Sequence, residues 1–99
     1  MQSITTYILS QKADTDIDTI FDYTENKFGF NQAVSYVGNL DIIFKQLIKH
    51  PNLGKERNEI KNGILSLSVG EHIVFYSIYK NCIRIVRVLH GRSDIPSQF

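Results

Sequence analysis

The sequence predicts a single α+β domain over residues 1–99, in which an antiparallel sheet packs with one face against a helical hairpin. The first observation is length, because 99 residues leave room for only one domain. The second is an apolar period of three to four residues between residues 13 and 48. The third is a change, from residue 64 onward, to short runs rich in Ile, Val, Phe and Tyr. The predicted order is β-α-α-β-β-β.

The first strand is predicted at residues 4–9 and leads directly into the first helix. Ser10 stands where a helix N-cap is expected, and Asp14 follows where the helix dipole favours negative charge. Gly29 ends this helix, because glycine adopts the left-handed C-terminal conformation without steric cost. Its apolar stripe consists of Ala13, Ile17, Ile20, Phe21, Thr24 and Phe28.

The second helix is predicted to begin at an Asn31 cap and to end before Pro51. A short turn therefore joins two helices of similar length, which indicates an antiparallel helical hairpin. The stripe of the second helix consists of Val34, Val37, Leu40, Ile43, Phe44, Leu47 and Ile48.

Three further strands are predicted at residues 64–69, 72–79 and 82–89. Gly70 suits a two-residue type II′ turn, and Lys80 begins a less ideal second turn. On regular strands Arg84 and Arg87 then lie on opposite faces, so they line one site only if a bulge intervenes. Because both faces are partly apolar, we expect the face away from the helices to bind a partner.

The composition favours a protein that works through its surface. Hydrophobic residues make up 42% and charged residues 21%, which are ordinary globular values. A domain this small cannot enclose a large cofactor cavity, so no cofactor is expected. The single cysteine, Cys82, fits a reducing compartment, and the scattered histidines form no metal-ligand pattern. With no signal-like or membrane-spanning segment, we expect a cytoplasmic chain without a membrane partner.

Charge is distributed unevenly along the chain. Residues 1–43 hold two basic and six acidic side chains, whereas residues 44–99 hold nine basic and four acidic ones. The basic half is the expected surface for an acidic partner. The alternative is that both halves simply provide solvated faces.

The stretch from His90 to Asp94 combines an acid, a base and a cation at the end of the last strand. It predicts either a functional site or a structural cap in which Asp94 pairs with Arg92 or Arg87. Tyr76 and Tyr79 suggest either RNA stacking or a core position. The sequence contains no Ser-His-Asp, Cys-His, Walker or glycine-rich phosphate pattern.

Several motifs between about residues 5 and 95 form a more specific pattern. They are Tyr7-Ile8-Leu9-Ser10, Ala13 with Asp16-Ile17, residues 20–24 with Phe28-Gly29, Gln32-Ala33 with Tyr36 and Leu40, residues 50–54, Gly70 with residues 72–76, and residues 85–94. The whole chain resembles the ParE toxins of bacterial type II toxin–antitoxin modules, within the RelE/ParE superfamily. The last of these stretches is the most distinctive.

The resemblance implies a growth-inhibiting toxin whose target is DNA gyrase and which a ParD-like antitoxin neutralises by wrapping around it. It implies a hetero-oligomer with the antitoxin, and an inhibitor rather than a catalyst, with no sequence-specific nucleic-acid binding of its own. Asp94 is expected to orient Arg92 through a charge-assisted hydrogen bond. The residues expected to bind the target or antitoxin are His72, Arg84, Arg87, His90 and Arg92.

A second hypothesis comes from the RelE-type relatives, which cleave mRNA on the ribosome. They use strand lysines, arginines near strand ends and a C-terminal tyrosine to stabilise phosphorane charge and move protons. In this sequence residues 64–69 contain no lysine, and no tyrosine follows Arg92. His72 and Arg92 fall near the positions of two such arginines, which leaves a partial constellation. A third hypothesis is a module that only sequesters antitoxin.

Overall fold

The computed structural model describes residues 3–99 and follows the predicted order with two short additions, β2 and α3. The α+β class and the packing of a helical hairpin on one sheet face are confirmed. The elements are β1 (Thr6–Leu9), α1 (Gln11–Phe28), α2 (Phe30–Lys49), β2 (Lys55–Glu56), β3 (Leu65–Val69), β4 (His72–Tyr79), β5 (Cys82–His90) and α3 (Ile95–Gln98).

The helical hairpin is capped at its start and reversed by a single residue. Ser10 Oγ accepts a hydrogen bond from the Ala13 amide at 3.0 Å, as expected of an N-cap. Gly29 has a φ of +97°, so it ends α1 and begins α2 without a separate loop. The predicted Asn31 cap is therefore wrong, because this tight reversal places Asn31 inside α2.

The five strands form one mixed sheet in the order β1-β5-β4-β3-β2. β1 pairs with β5 in parallel, and the other three pairings are antiparallel. The single parallel pairing arises because the helical hairpin carries the chain across the sheet, and the later strands then return beside β1. The sheet is thus not antiparallel throughout.

A bulge in β5 changes the faces of the strand residues that follow it. Phe75 pairs with Arg87, whereas Tyr76 pairs with Ile85, so Val86 is the extra residue. Arg87 consequently lies on the same face as Arg84. The regular register predicted from the sequence holds up to Ile85 and is wrong beyond it.

Each sheet face carries its own hydrophobic core. The larger core lies under the helices, where Phe44, Tyr76 and Ile83 are at most 2% exposed. The smaller core, around Phe75 and Leu89, lies on the far face and is covered by the 57–64 loop and α3. Only part of the far face is therefore open, in contrast to the expectation of a largely free face. The smaller core consists of Ile64, Phe75, Leu89 and Ile95, with Ile60, Ile73 and Val86 packed against it.

Candidate functional site

Four of the five residues predicted to bind a partner separate into two grooves on different sides of the sheet, and the fifth, Arg92, lines neither. His72 and His90 line a groove beside the helical hairpin, which we call the histidine groove. Arg84 and Arg87 line a groove on the far face, which we call the basic groove. The sequence analysis proposed these residues as one set of binding residues, with Arg84 and Arg87 on one face only if a bulge intervened, and the fold places them in two grooves.

The histidine groove has a volume of about 430 Å³ and lies between the helices and the turn that joins β3 to β4. His72 begins β4 and His90 ends β5, and the two residues are cross-strand partners. Because the bulge shifts the end of β5, His90 shares the helix-side face with His72. The groove is lined by Thr19, Ile20, Tyr23, Thr24, Phe28, Gln32, Tyr36, Gly70, Glu71, His72 and His90.

Hydrogen bonds and ring contacts fix the polar groups of this groove. Tyr36 Oη and His72 Nδ1 share a hydrogen bond of 2.6 Å. The rings of His72 and His90 meet edge to face, with their centroids 5.4 Å apart. His90 Nδ1 accepts a hydrogen bond from the Arg92 amide at 3.0 Å, which leaves His90 Nε2 as the donor nitrogen, 3.8 Å from a Glu71 oxygen. These groups therefore form one connected polar cluster.

Burial favours the neutral forms of His72 and Tyr36. Burial lowers the pKa of His72 below its usual value, and the neighbouring His90 lowers it further. Burial likewise raises the pKa of Tyr36. Among residues 3–99 the groove lining includes neither lysine nor arginine, and the nearby cation Lys27 lies at its edge, where its Nζ contacts the Tyr23 hydroxyl at 3.1 Å.

The basic groove has a volume of about 500 Å³ and brings cations from three parts of the chain together. Lys12 comes from α1, Lys61 from the 57–64 loop and Arg84 from β5, and all three are exposed. Ser10 anchors the start of α1 to the bulge, since its hydroxyl donates to the Val86 carbonyl at 2.7 Å. The groove suits a negatively charged ligand.

Arg87 lines the same groove but serves the fold. Its guanidinium makes two hydrogen bonds of 2.8 Å to the carboxylate of Asp16 and a third to the Gln98 carbonyl. The side chains of Arg87 and Asp16 are only 12% and 13% exposed. Asp16 also accepts from the Val88 amide at 3.0 Å. Arg87 thus ties α1 and the C-terminal segment to β5, which argues against its expected role in binding.

Arg92 and Asp94 lie beyond the end of β5 and are both exposed. Within residues 3–99 neither one takes part in an ion pair, so the expected Asp94–Arg92 contact does not form. Asp94 precedes α3, and its backbone carbonyl accepts a hydrogen bond from the Ser97 hydroxyl at 2.9 Å. Asp94 supports the chain through its backbone here, and Arg92 remains available for contact.

The two tyrosines of β4 have different roles. Tyr76 is fully buried; its hydroxyl accepts from the Gly54 amide and donates to the Pro51 carbonyl, both at 2.8 Å. The core interpretation of Tyr76 is therefore confirmed. Tyr79 is 59% exposed and lies at the far end of the same strand.

Sequence reasoning did not identify Tyr36, Glu71 or Lys61 as lining the two grooves, nor Asp16 as the partner of Arg87. The position of Tyr36 was a usable signal, since it places a hydroxyl beside the apolar stripe of α2. Asp16 stands only within a motif of α1, and its partner Arg87 is 71 positions away. Lys61 lies in a loop whose path the local pattern does not specify.

Across residues 3–99 no three His, Cys, Asp or Glu side chains come together as metal ligands. In that same part of the chain, the helices are all too short or too polar to cross a bilayer.

The chain is similar to proteins of one family over most of its length. The profile described as "ParE toxin of type II toxin-antitoxin system, parDE" matches residues 7–95. The protein "Toxin ParE1" of Mycobacterium tuberculosis is 34% identical over 90 residues, which are 90% of this chain and 92% of that protein. "Toxin ParE1" of Caulobacter vibrioides is 33% identical over 84 residues, covering 85% and 86% of the two chains.

A solved structure shares the fold. The chain superposes with a TM-score of 0.76 on a structure titled "Chromosomal ParDE TA system from P. aeruginosa", at 21% identity. The superposition covers 89% of this chain and 96% of the other. From the profile and the relatives together, this chain belongs to the ParE family of toxins from type II toxin–antitoxin systems.

Proposed function

We propose that this ParE-family toxin inhibits DNA gyrase in the cytoplasm and that a ParD-type antitoxin neutralises it by direct binding. The observation that carries the proposal is the family match over residues 7–95, which includes the whole histidine groove and all of the basic groove except Gln98 and Phe99. The relatives are named as toxins, and the structural neighbour is titled as a ParDE system. The proposal for this chain therefore concerns its target, DNA gyrase, and its partner, a ParD-type antitoxin.

The two grooves support action by binding. The histidine groove joins a polar cluster to exposed aromatic rings, since Tyr23 is 56% and Phe28 is 64% exposed. An apolar surface of this kind stabilises a protein–protein complex when a partner covers it. We propose that His72, His90 and Arg92 contact a partner at this end of the sheet and that Arg84 does so on the far face. Arg87 then acts indirectly, by holding the far face in shape.

The test of the proposed function is a gyrase supercoiling assay with relaxed plasmid, ATP and the purified toxin. Loss of supercoiling, or cleaved plasmid trapped with gyrase, is expected, and the neighbouring gene's ParD-type antitoxin should reverse it. Normal supercoiling at a large molar excess of folded toxin would contradict the gyrase assignment. Failure of the antitoxin to bind folded toxin would contradict neutralisation.

The contact role of Arg92 is tested in the same assay. Arg92→Ala is expected to weaken gyrase inhibition or antitoxin binding while the thermal unfolding midpoint stays the same, because Arg92 is exposed and unpaired within residues 3–99. Lys55→Ala, which removes an exposed cation on β2, is the matched control. Unchanged inhibition and unchanged antitoxin affinity for Arg92→Ala would remove Arg92 from the contact residues.

One observation favours mRNA cleavage as a second candidate. The hydrogen-bonded pair Tyr36 and His72, with the His90 ring beside it, offers groups able to donate and accept protons. Among residues 3–99 the lining of this groove includes no lysine or arginine, the side chains that stabilise a phosphorane, which favours the gyrase proposal. Cleavage of ribosome-bound mRNA that is lost in both His72→Gln and His90→Gln would reverse this preference.

A further inference from the structure

We propose that the basic groove binds an acidic segment of the antitoxin that also carries a bulky apolar side chain. This inference rests on the proposed function, because it names where the neutralising partner binds. Neither the family match nor the relatives assign a role to this groove. Three features support the inference. They are the charge of the groove, an apolar depression that adjoins it, and the small number of cations that the groove contains.

The charge of the groove is positive once internal pairs are taken into account. Asp16 neutralises Arg87, which leaves Lys12, Lys61 and Arg84. Within residues 3–99 none of these three forms an ion pair, and the groove lining includes no aspartate or glutamate. The groove also lies at the start of the 18-residue helix α1, whose dipole favours negative charge. A carboxylate bound here would meet several favourable charges at once.

An apolar depression continues from the basic groove toward β1. It has a volume of about 200 Å³ and is lined by Ile8, Ser77, Ile78, Tyr79 and Arg84. Ser77 and Arg84 line both the basic groove and this depression. The groove and the depression therefore form one continuous surface that is basic at one end and apolar at the other. Ile8 is 48% exposed and Tyr79 is 59% exposed, which leaves apolar area for a partner to cover.

The small number of cations and the adjoining apolar depression favour a peptide over a nucleic acid as the ligand of this surface. Three cations can neutralise only about three phosphates, which gives weak binding at physiological salt. An acidic segment with one bulky apolar side chain matches both ends of the surface and needs no further cations.

The experiment measures antitoxin affinity for charge-reversed toxins in the complete chain. Lys61→Glu and Arg84→Glu are each expected to weaken antitoxin binding about tenfold, since each reversal converts attraction into repulsion. The matched control is Lys55→Glu, because Lys55 is an exposed lysine that lines neither depression. For the apolar end, Ile8→Thr is expected to weaken binding about fivefold through lost apolar burial. Ile42→Thr, at another exposed isoleucine, is its control.

The outcomes separate this inference from the proposed function. The inference holds if the groove variants lose antitoxin affinity, retain the wild-type melting temperature and show a weaker salt dependence than Lys55→Glu. It fails if the wild-type toxin binds antitoxin and the groove variants bind as tightly as their controls, in which case the proposed function stands. Absence of any antitoxin binding by the wild type would instead overturn the proposed function itself.

Two other occupants are tested with the same variants. A 30-base-pair DNA duplex measures nucleic-acid binding, and size-exclusion chromatography over a range of salt concentrations measures self-association. If Lys61→Glu and Arg84→Glu abolish either of these while antitoxin affinity is unchanged, the groove serves that ligand and the inference is wrong.

Discussion

The two grooves differ in what holds their polar groups in place. In the histidine groove, His72 contacts both Tyr36 and His90, the cluster is partly buried, and burial favours the neutral form of His72. In the basic groove, one arginine is held in a part-buried ion pair, while within residues 3–99 the neighbouring cations form no ion pair. The first groove suits a partner that covers apolar and aromatic surface, and the second suits a partner that supplies negative charge.

This difference shows that the charge of a residue does not determine whether a partner can use it. Arg84 and Arg87 lie three positions apart on β5 and, because of the bulge, on one face. Arg84 is exposed and lies within 4 Å of no carboxylate in residues 3–99, whereas Arg87 makes a bidentate pair with Asp16. Only the fold distinguishes the arginine that stabilises the groove from the arginine that is available in it.

The largest expected effect is on stability and concerns Arg87. Arg87→Met should lower the free energy of unfolding by about 3 kcal/mol, because it leaves the buried carboxylate of Asp16 without its cation. Arg84→Met, at the exposed arginine, should change it by no more than about 0.5 kcal/mol. Urea unfolding of both variants measures the difference. Equal losses in the two variants would contradict the assignment of Arg87 as the structural arginine.

A smaller effect is expected at the turn that forms one wall of the histidine groove. Gly70 has a φ of +58°, and a Cβ there would lie 2.9 Å from Tyr36 Oη. Gly70→Ala should therefore cost about 2 kcal/mol in unfolding free energy through backbone strain and crowding of Tyr36. Gly38→Ala is the control, because a Cβ in the middle of α2 meets nothing within 4 Å and should stabilise the chain by up to about 1 kcal/mol. A Gly70→Ala variant as stable as the wild type would show that the turn tolerates a side chain.

The sequence predicts those parts of the fold that depend on local pattern. The Ser10 cap, the end of α1 at Gly29 and the pairing of Val69 with His72 all follow from nearby residues. The short strand β2 could not be predicted this way, because two residues carry no periodic signal. The parallel pairing of β1 with β5 depends on contacts between opposite ends of the chain.

The candidate site was less predictable because it depends on the bulge. Val86 is the extra residue of the bulge, and two side chains from the start of α1 contact the backbone there. The Ser10 hydroxyl donates a hydrogen bond to the Val86 carbonyl, and the Asp16 carboxylate accepts one from the Val88 amide. Both contacts cross more than 70 positions, so no local spacing indicates them. One extra residue moves Arg87 onto the far face and His90 beside His72. The sequence named the histidines and arginines only as candidates, and the tertiary contacts decide how they are grouped.

The smallest expected effect is a pH dependence that belongs to the histidine groove alone. Burial and the nearby His90 lower the pKa of His72 in the folded chain, although Glu71 opposes this, while the unfolded chain titrates near 6.5. Between these two pKa values the unfolded state binds more protons than the folded state. The free energy of unfolding should therefore fall as the pH decreases from about 6.5 toward the folded pKa, and this contribution should be constant above that window.

The variant His72→Gln tests this dependence, because glutamine keeps a hydrogen-bonding group near Tyr36 but does not titrate. Urea unfolding between about pH 5 and pH 8 should show a shallower fall in stability for His72→Gln than for the wild type. His50→Gln, at an exposed histidine that follows α2, should keep the wild-type slope. If His72→Gln also kept that slope, the protonation of His72 would not be coupled to folding. The neutral character of the histidine groove, and with it the contrast between the two grooves, would then lose its support.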